Sequence, residues 1–140
     1  QKTAYEIHSY VEHFLDSGSL TIYAGVDPGK IETAVAVILE ELFKLKQGVI
    51  PGELARAKEM LKGRLQLRLE DSQNVALWLG SQEILRKRIL SIDEVISIIE
   101  AITADDVKGV AEELLISDKL NLAVVGPIKK EEPLMELLKI

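Results

Sequence analysis

Both histidines of this chain lie in one stretch, His8-Ser9-Tyr10-Val11-Glu12-His13. It is a near miss to the zinc-binding pattern H-x-x-E-H. That pattern works because histidines four apart on a helix share a face, differing by roughly 40°. A spacing of five separates them by roughly 140° on a helix. On a strand an odd spacing puts them on opposite faces. The chain has no other His and no Cys, so only carboxylates could complete a metal site. The pair reads as two surface or sheet-edge histidines, with no cofactor held by this chain and no catalytic residue among them.

The other candidates reduce to structural roles. Gly25-Val26-Asp27-Pro28-Gly29-Lys30 has three residues between its glycines where a phosphate loop needs four, and Ile31 replaces the required Ser or Thr. Pro28 also removes an amide that could face phosphate. It reads as a strand-to-helix turn. The acid pairs Glu70-Asp71 and Asp105-Asp106 fall at expected helix ends, where acids complement the helix dipole. Lys58, Lys62, Arg64 and Arg68 are interrupted by Glu59 and flanked by Glu53 and Glu70, which marks a solvated helix face. Arg86-Lys87-Arg88 reads the same way. No serine has a histidine in meaningful context, so a hydrolase triad cannot be argued.

Composition agrees. The 140 residues carry a net charge of -6, the wrong sign for a nucleic-acid partner. Hydrophobic residues are 47% and charged residues 29%, the balance of one soluble globular domain. No apolar run approaches a membrane span, so a soluble protein with no membrane partner is expected; the residues do not reveal the compartment, and the cytoplasm is the expectation. The absence of an initiator Met reads as a fragment of a longer product.

Several elements must position these residues. Residues 4–15 and 20–26 alternate as strands around the turn cluster Asp16-Ser17-Gly18-Ser19, predicting a β-hairpin. A helix over 30–46 has Ile31, Ala34, Val35, Ile38, Leu39, Leu42 and Leu45 on one face, with Lys44 and Lys46 off it. A second helix spans 52–69 with the stripe Leu54, Ala57, Leu61 and Leu65. A third spans 73–86, capped by Ser72 and carrying Val75, Leu79, Gln82 and Leu85. Ser91 with Glu94 and Thr103 with Asp106 predict capping boxes opening two shorter helices. Residues 119–126 predict a last strand, and 131–140 a small amphipathic helix. The order implies an α+β domain, a sheet with helices on one face. Three strands are few for that many helices, so something that pairs with them is expected to be missing.

Seven stretches, in order, carry a family resemblance: residues 4–10 (AYEIHSY); Asp16-Ser17-Gly18 leading to Ile22-Tyr23-Ala24-Gly25; residues 53–63 (ELARAKEMLKG); Leu69-Glu70-Asp71-Ser72; Leu79-Gly80-Ser81-Gln82-Glu83; residues 102–107 (ITADDV); and residues 122–127 (LAVVGP). Over nearly the whole chain the sequence resembles the pitrilysin/insulinase family of zinc peptidases, in particular the short branch that includes mitochondrial processing peptidase and its bacterial relatives. The resemblance implies an antiparallel sheet with helices packed on one face, the LuxS/processing-peptidase-like metallohydrolase fold, truncated at its N-terminal side. In that family two similar domains close like a clamshell on an unfolded peptide. The front one holds zinc through H-x-x-E-H and a distant Glu; the back one holds no metal.

Lacking the motif and ending at Val125-Gly126-Pro127, the chain is placed in the back part of the C-terminal, non-zinc domain. Residues 1–140 would form a single partial domain with 128–140 as its tail. The implied partners are a peptide substrate and the missing N-terminal domain or a partner subunit, which would hold the Zn. With edges uncovered, a homo-oligomer is also expected. Larger family members place an Arg and a Tyr, seven residues apart, against substrate near the strand-to-helix passage. The corresponding positions here are Tyr23 and Lys30, and neither residue type matches. The implied function is substrate clamping in a metallopeptidase that processes unfolded peptides. The alternative is a non-catalytic scaffold or binding subunit of the same family.

Overall fold

The computed structural model describes residues 4–128 and 130–138. Its elements are β1 (Ala4–His13), β2 (Gly18–Val26), α1 (Ile31–Lys44), α2 (Pro51–Arg68), α3 (Ser72–Arg86), α4 (Ile92–Ala101), α5 (Ala104–Leu114) and α6 (Glu132–Leu137). The class is α+β, and the sheet among the described residues is the antiparallel pair β1-β2.

The hairpin turns two residues earlier than its turn cluster predicts. The Phe14 N–H donates to the Ser17 carbonyl at 2.9 Å, so residues 14–17 form the loop and Gly18 pairs with His13. A Cβ on Gly18 would lie 2.9 Å from the Glu12 carbonyl oxygen. Only glycine allows the strands to approach there. The register pairs His8 with Tyr23, Tyr10 with Thr21 and Glu12 with Ser19 on one face; Ile7 with Ala24, Ser9 with Ile22 and Val11 with Leu20 share the other. A bulge between Ala4 and Glu6 lets Ala4 face Val26.

Asp27 caps the 3-10 turn Pro28–Lys30, its Oδ1 accepting the Gly29 N–H at 2.8 Å. The helix that follows buries the predicted face around Ala34 and exposes Glu32, Glu40, Glu41 and Lys44. Its last turn tightens to a 3-10 turn, Leu45–Gln47. There Lys46 departs from expectation: its ammonium reaches inward to the Leu115 carbonyl at 3.2 Å, packs over the Phe43 ring, and ties this turn to the end of α5.

The stripe expected on α2 is only partly buried, with Leu61 exposed. Lysines fill that role instead: Lys58 donates to the Glu100 carbonyl (2.8 Å) and Lys62 to the Glu100 carboxylate (3.1 Å), fastening α2 to the C-terminal turn of α4. Cations there meet the negative end of the helix dipole. Asp71, not Ser72, caps α3, accepting the Asn74 N–H at 3.0 Å; the carboxylate is the better acceptor for a helix N-terminus. Both predicted capping boxes are present, at Ser91 with Glu94 and at Thr103 with Asp106.

The strand predicted at 119–126 is not formed. Ser117–Lys119 is a 3-10 turn, and residues 120–126 enter no ladder although Leu120 has extended dihedrals. A strand needs a neighbour to accept its amides, and among the described residues none pairs with it. The tail does form a helix; α6 packs on α1 and buries Leu134. Positions 139–140 of the predicted tail helix lie outside the described residues.

The core is small. Among the described residues Ala34, Leu90, Ala111, Leu115 and Leu134, with Gln82, are buried, and no side chain is fully enclosed. The accessible surface is 10614 Å² for 15.5 kDa, against about 7,200 Å² for a compact monomer of that mass. The excess, about 3,400 Å² on that scaling, includes Leu15, Ile7 and Val125, the last fully exposed at 103%.

Candidate functional site

On β1, His8 and Tyr10 point to the same side as Glu6 and Glu12, because strand side chains alternate. Tyr23 joins them from β2. The His8 and Tyr23 rings stack at 4.8 Å between centroids, tilted 29°. The Tyr10 ring lies 6.0 Å from that of His8, tilted 32°. His8 Nδ1 is 3.7 Å from Glu6 Oε1, and the Ser19 hydroxyl donates to Glu12 at 3.0 Å. The result is an aromatic and acidic patch, with Tyr23 50% exposed. Residues 4–26 contain no Lys or Arg. On the opposite face, Ile22, Ala24 and Val26 look into a groove shared with Ile31, Ala34, Val35 and Ile38 of α1. The patch therefore occupies the sheet face turned away from α1.

Of the two residues singled out from sequence, Tyr23 lies at the centre of this patch. Lys30 lies at the end of the 3-10 turn after β2, exposed, its N–H donating to the Asp27 carbonyl at 2.9 Å. No hydrogen bond or ring contact among the described residues joins Tyr23 to Lys30. The sequence reading missed His8 and Tyr10 as neighbours of Tyr23. The period-2 pattern puts His8 and Tyr10 on one face; pairing either with Tyr23 requires the register.

The residues present do not fit zinc. His8 stands opposite Tyr23 and His13 opposite Gly18, five positions apart on one strand and so on opposite faces. Among the described residues no three His, Cys, Asp or Glu side chains converge. The remaining charged groups are accounted for by structure. Hydrogen bonds donated to the carboxylates of Glu59 and then Glu100 hold the Lys62 ammonium above its ordinary pKa. The Asp106 carboxyl is held low by the Thr103 hydroxyl and amide, and Glu94 by Ser91 and then Arg88. No described helix is long and apolar enough to cross a membrane.

Residues 1–61 match the Peptidase M16 inactive domain. The chain is 34% identical over 125 residues to the uncharacterized zinc protease YmxG of Bacillus subtilis, covering 89% of this chain and 30% of that protein. It is 31% identical over 130 residues to a zinc protease of Streptomyces coelicolor, covering 92% of this chain and 28% of the relative. Against the beta subunit of the mitochondrial-processing peptidase of Bos taurus it is 27% identical, over 90% of this chain and 26% of the subunit. In structure it is similar to a chain of complex III2 from Candida albicans, solved with Inz-5 bound, at a TM-score of 0.71 and 27% identity, covering 76% of this chain and 26% of that one. The chain thus spans less than a third of the length of each of these relatives. With the hairpin and helix order in place, the chain is identified with the M16, or pitrilysin, peptidase family through the match of residues 1–61 to its inactive C-terminal domain and the likeness to zinc proteases.

Proposed function

We propose that residues 1–140 form one partial domain that clamps extended peptide for a zinc metallopeptidase while the chemistry takes place elsewhere. The observation that carries this reading is the hairpin. Its aromatic patch is open to solvent on the face away from α1, and the outer edge of β1 pairs with no other strand among the described residues. An extended peptide adds to such an edge through backbone hydrogen bonds, which give affinity with little sequence preference. Tyr23 and its neighbours His8 and Tyr10 would pack on side chains of the added peptide. Lys30 would donate to a peptide carbonyl. Zn belongs, on this reading, to an N-terminal domain or a partner subunit, and the cytoplasm is the proposed compartment. With its apolar surface uncovered, the isolated chain is expected to self-associate.

The test is zinc content and peptide cleavage, measured for this chain and for the complete gene product, together with anisotropy of a labelled unstructured peptide. The expected result is no stoichiometric zinc on the chain. Peptide binding to the complete product should weaken severalfold in Tyr23→Ala and less in Lys30→Ala. Stoichiometric zinc with chelator-sensitive cleavage by the chain alone, or unchanged binding in both variants, would overturn it. The likeness to a chain of complex III2 favours a second reading, a non-catalytic scaffold subunit. A gene product that lacks H-x-x-E-H, with no partner subunit carrying it, would decide for that reading.

A further inference from the structure

The aromatic patch is ordered across the sheet as well as along it. His8 and Tyr23 are partners in the register, and their ring centroids stand 4.8 Å apart. That is the distance between neighbouring strands, about 4.7–4.9 Å, so the stack runs from β2 to β1. One face of the His8 ring is covered by Tyr23. The other faces away from β2, toward the outer edge of β1, which pairs with no other strand among the described residues. Tyr10 follows two positions along the same face, its ring 6.0 Å from that of His8, close to the rise of two strand residues, about 6.6 Å. Both side chains are exposed. The groove on the opposite face, walled on its far side by residues 122–128, takes no part.

We infer that His8 and Tyr10 are specificity-determining residues of the clamp, selecting an extended peptide with aromatic side chains at positions i and i+2. The inference rests on the clamp reading above and deepens it. A peptide strand added to β1 lies about 4.8 Å from β1 and about 9.6 Å from β2. Its side chains therefore meet His8 and Tyr10 within contact distance, about 4.5 Å. Tyr23 lies one strand further and acts mainly by backing His8. An aromatic side chain opposite His8 adds a third ring to the stack, and cross-strand aromatic pairs are among the favourable ones on a sheet. Alternate residues of a strand share a face, so a second ring two positions on meets Tyr10.

Charge decides less than ring burial. Glu6 and Glu12 lie on this face and residues 4–26 hold no Lys or Arg, which disfavours acidic peptides. Glu6 is 66% exposed, however, and Glu12 accepts the Ser19 hydroxyl. Solvated carboxylates of this kind add little to binding, whereas an aromatic ring brings both buried area and a directed contact.

Anisotropy with the complete gene product tests it, using labelled twelve-residue Gly-Ser peptides that carry Phe-Ala-Phe, Leu-Ala-Leu, Phe-Phe-Ala or Arg-Ala-Arg at the centre. Phe-Ala-Phe is expected to bind roughly three- to tenfold tighter than the others. His8→Ala should erase that preference and Tyr10→Ala should reduce it, while His8→Phe, which keeps a ring on Tyr23, should retain it. Equal binding of the peptides, or a preference that survives His8→Ala, would overturn the inference; if binding still weakens in Tyr23→Ala, the clamp reading stands without it. Tightest binding of Arg-Ala-Arg would assign the face to the field of Glu6 and Glu12 and overturn it as well. Binding of none of the peptides would sink both readings.

Discussion

Replacing Gln82 with Leu should loosen the passage from α3 to α4 in a way that can be read at one amide. Gln82 is 8% exposed on α3, and its Oε1 accepts the N–H of Leu90 at 3.0 Å. Leu90 is itself buried, at the start of the turn into Ser91, the cap of α4. Leucine leaves that N–H buried without a partner, a cost of about 1–3 kcal/mol. Part is offset, because Gln82 Nε2 is buried without a hydrogen-bond partner in the wild type and leucine removes that penalty. The net loss should be about 1–2 kcal/mol, with exchange of the Leu90 amide faster by roughly 5- to 30-fold if it exchanges by local opening. Gln82→Glu keeps the acceptor and should retain most of the Leu90 protection, at the expense of a poorly solvated charge. Hydrogen exchange with single-residue resolution, beside urea midpoints for both variants, measures this. Unchanged Leu90 protection in Gln82→Leu would refute the assignment of that hydrogen bond as the tether.

Lys87 ends α3 with φ 53, ψ 24, a left-handed conformation that costs an L side chain about 1–2 kcal/mol; Lys87→Gly should raise stability by about 0.5–1 kcal/mol after the unfolded-state entropy of glycine is counted, read as a higher urea midpoint. Acid should fray α4 and α5 from their N-termini. The Glu94 and Asp106 carboxyls are held below their ordinary pKa by Ser91 and Thr103, so their contribution is complete above the usual carboxylate range and is lost as pH falls through the lowered values. The Ser91 and Thr103 amides, which donate to these carboxylates, should lose protection over that interval, and flat protection to lower pH would contradict the assignment. Lys62→Met should loosen the contact of α2 with α4, which Lys58 would still hold through the Glu100 carbonyl, because the Lys62 ammonium bridges Glu59 and Glu100; faster exchange at the C-terminal turn of α4 is the expected result, and no change there would mean the pair is solvated and idle.

Local structure was the legible part of this sequence. Ser91 with Glu94 and Thr103 with Asp106 announced their helices because a capping box is closed within four residues. The face of α1 followed from its periodicity alone. Where prediction failed, a distant partner decided. Lys46 was assigned to solvent, but the Leu115 carbonyl 69 positions away holds its ammonium. The stripe on α2 named Leu61, whereas Lys58 and Lys62 make the contact to Glu100. Residues 119–126 had strand composition and formed no strand, because composition provides the preference and only a neighbouring backbone provides the hydrogen bonds.

The candidate site divides along the same line. The spacing of His8 and His13 already excluded a shared face, since it depends only on the repeat of the backbone. Tyr23 became a position of interest only through the family resemblance. What surrounds Tyr23 was not legible in the sequence: the stack on His8 depends on a register set by the 14–17 turn and the close approach at Gly18. The groove beside β2 could not be read from residues at all, because it is the space between segments about a hundred positions apart. Local pattern is encoded by short-range sterics and hydrogen bonding; the placing of faces, grooves and distant partners is decided only when the chain packs.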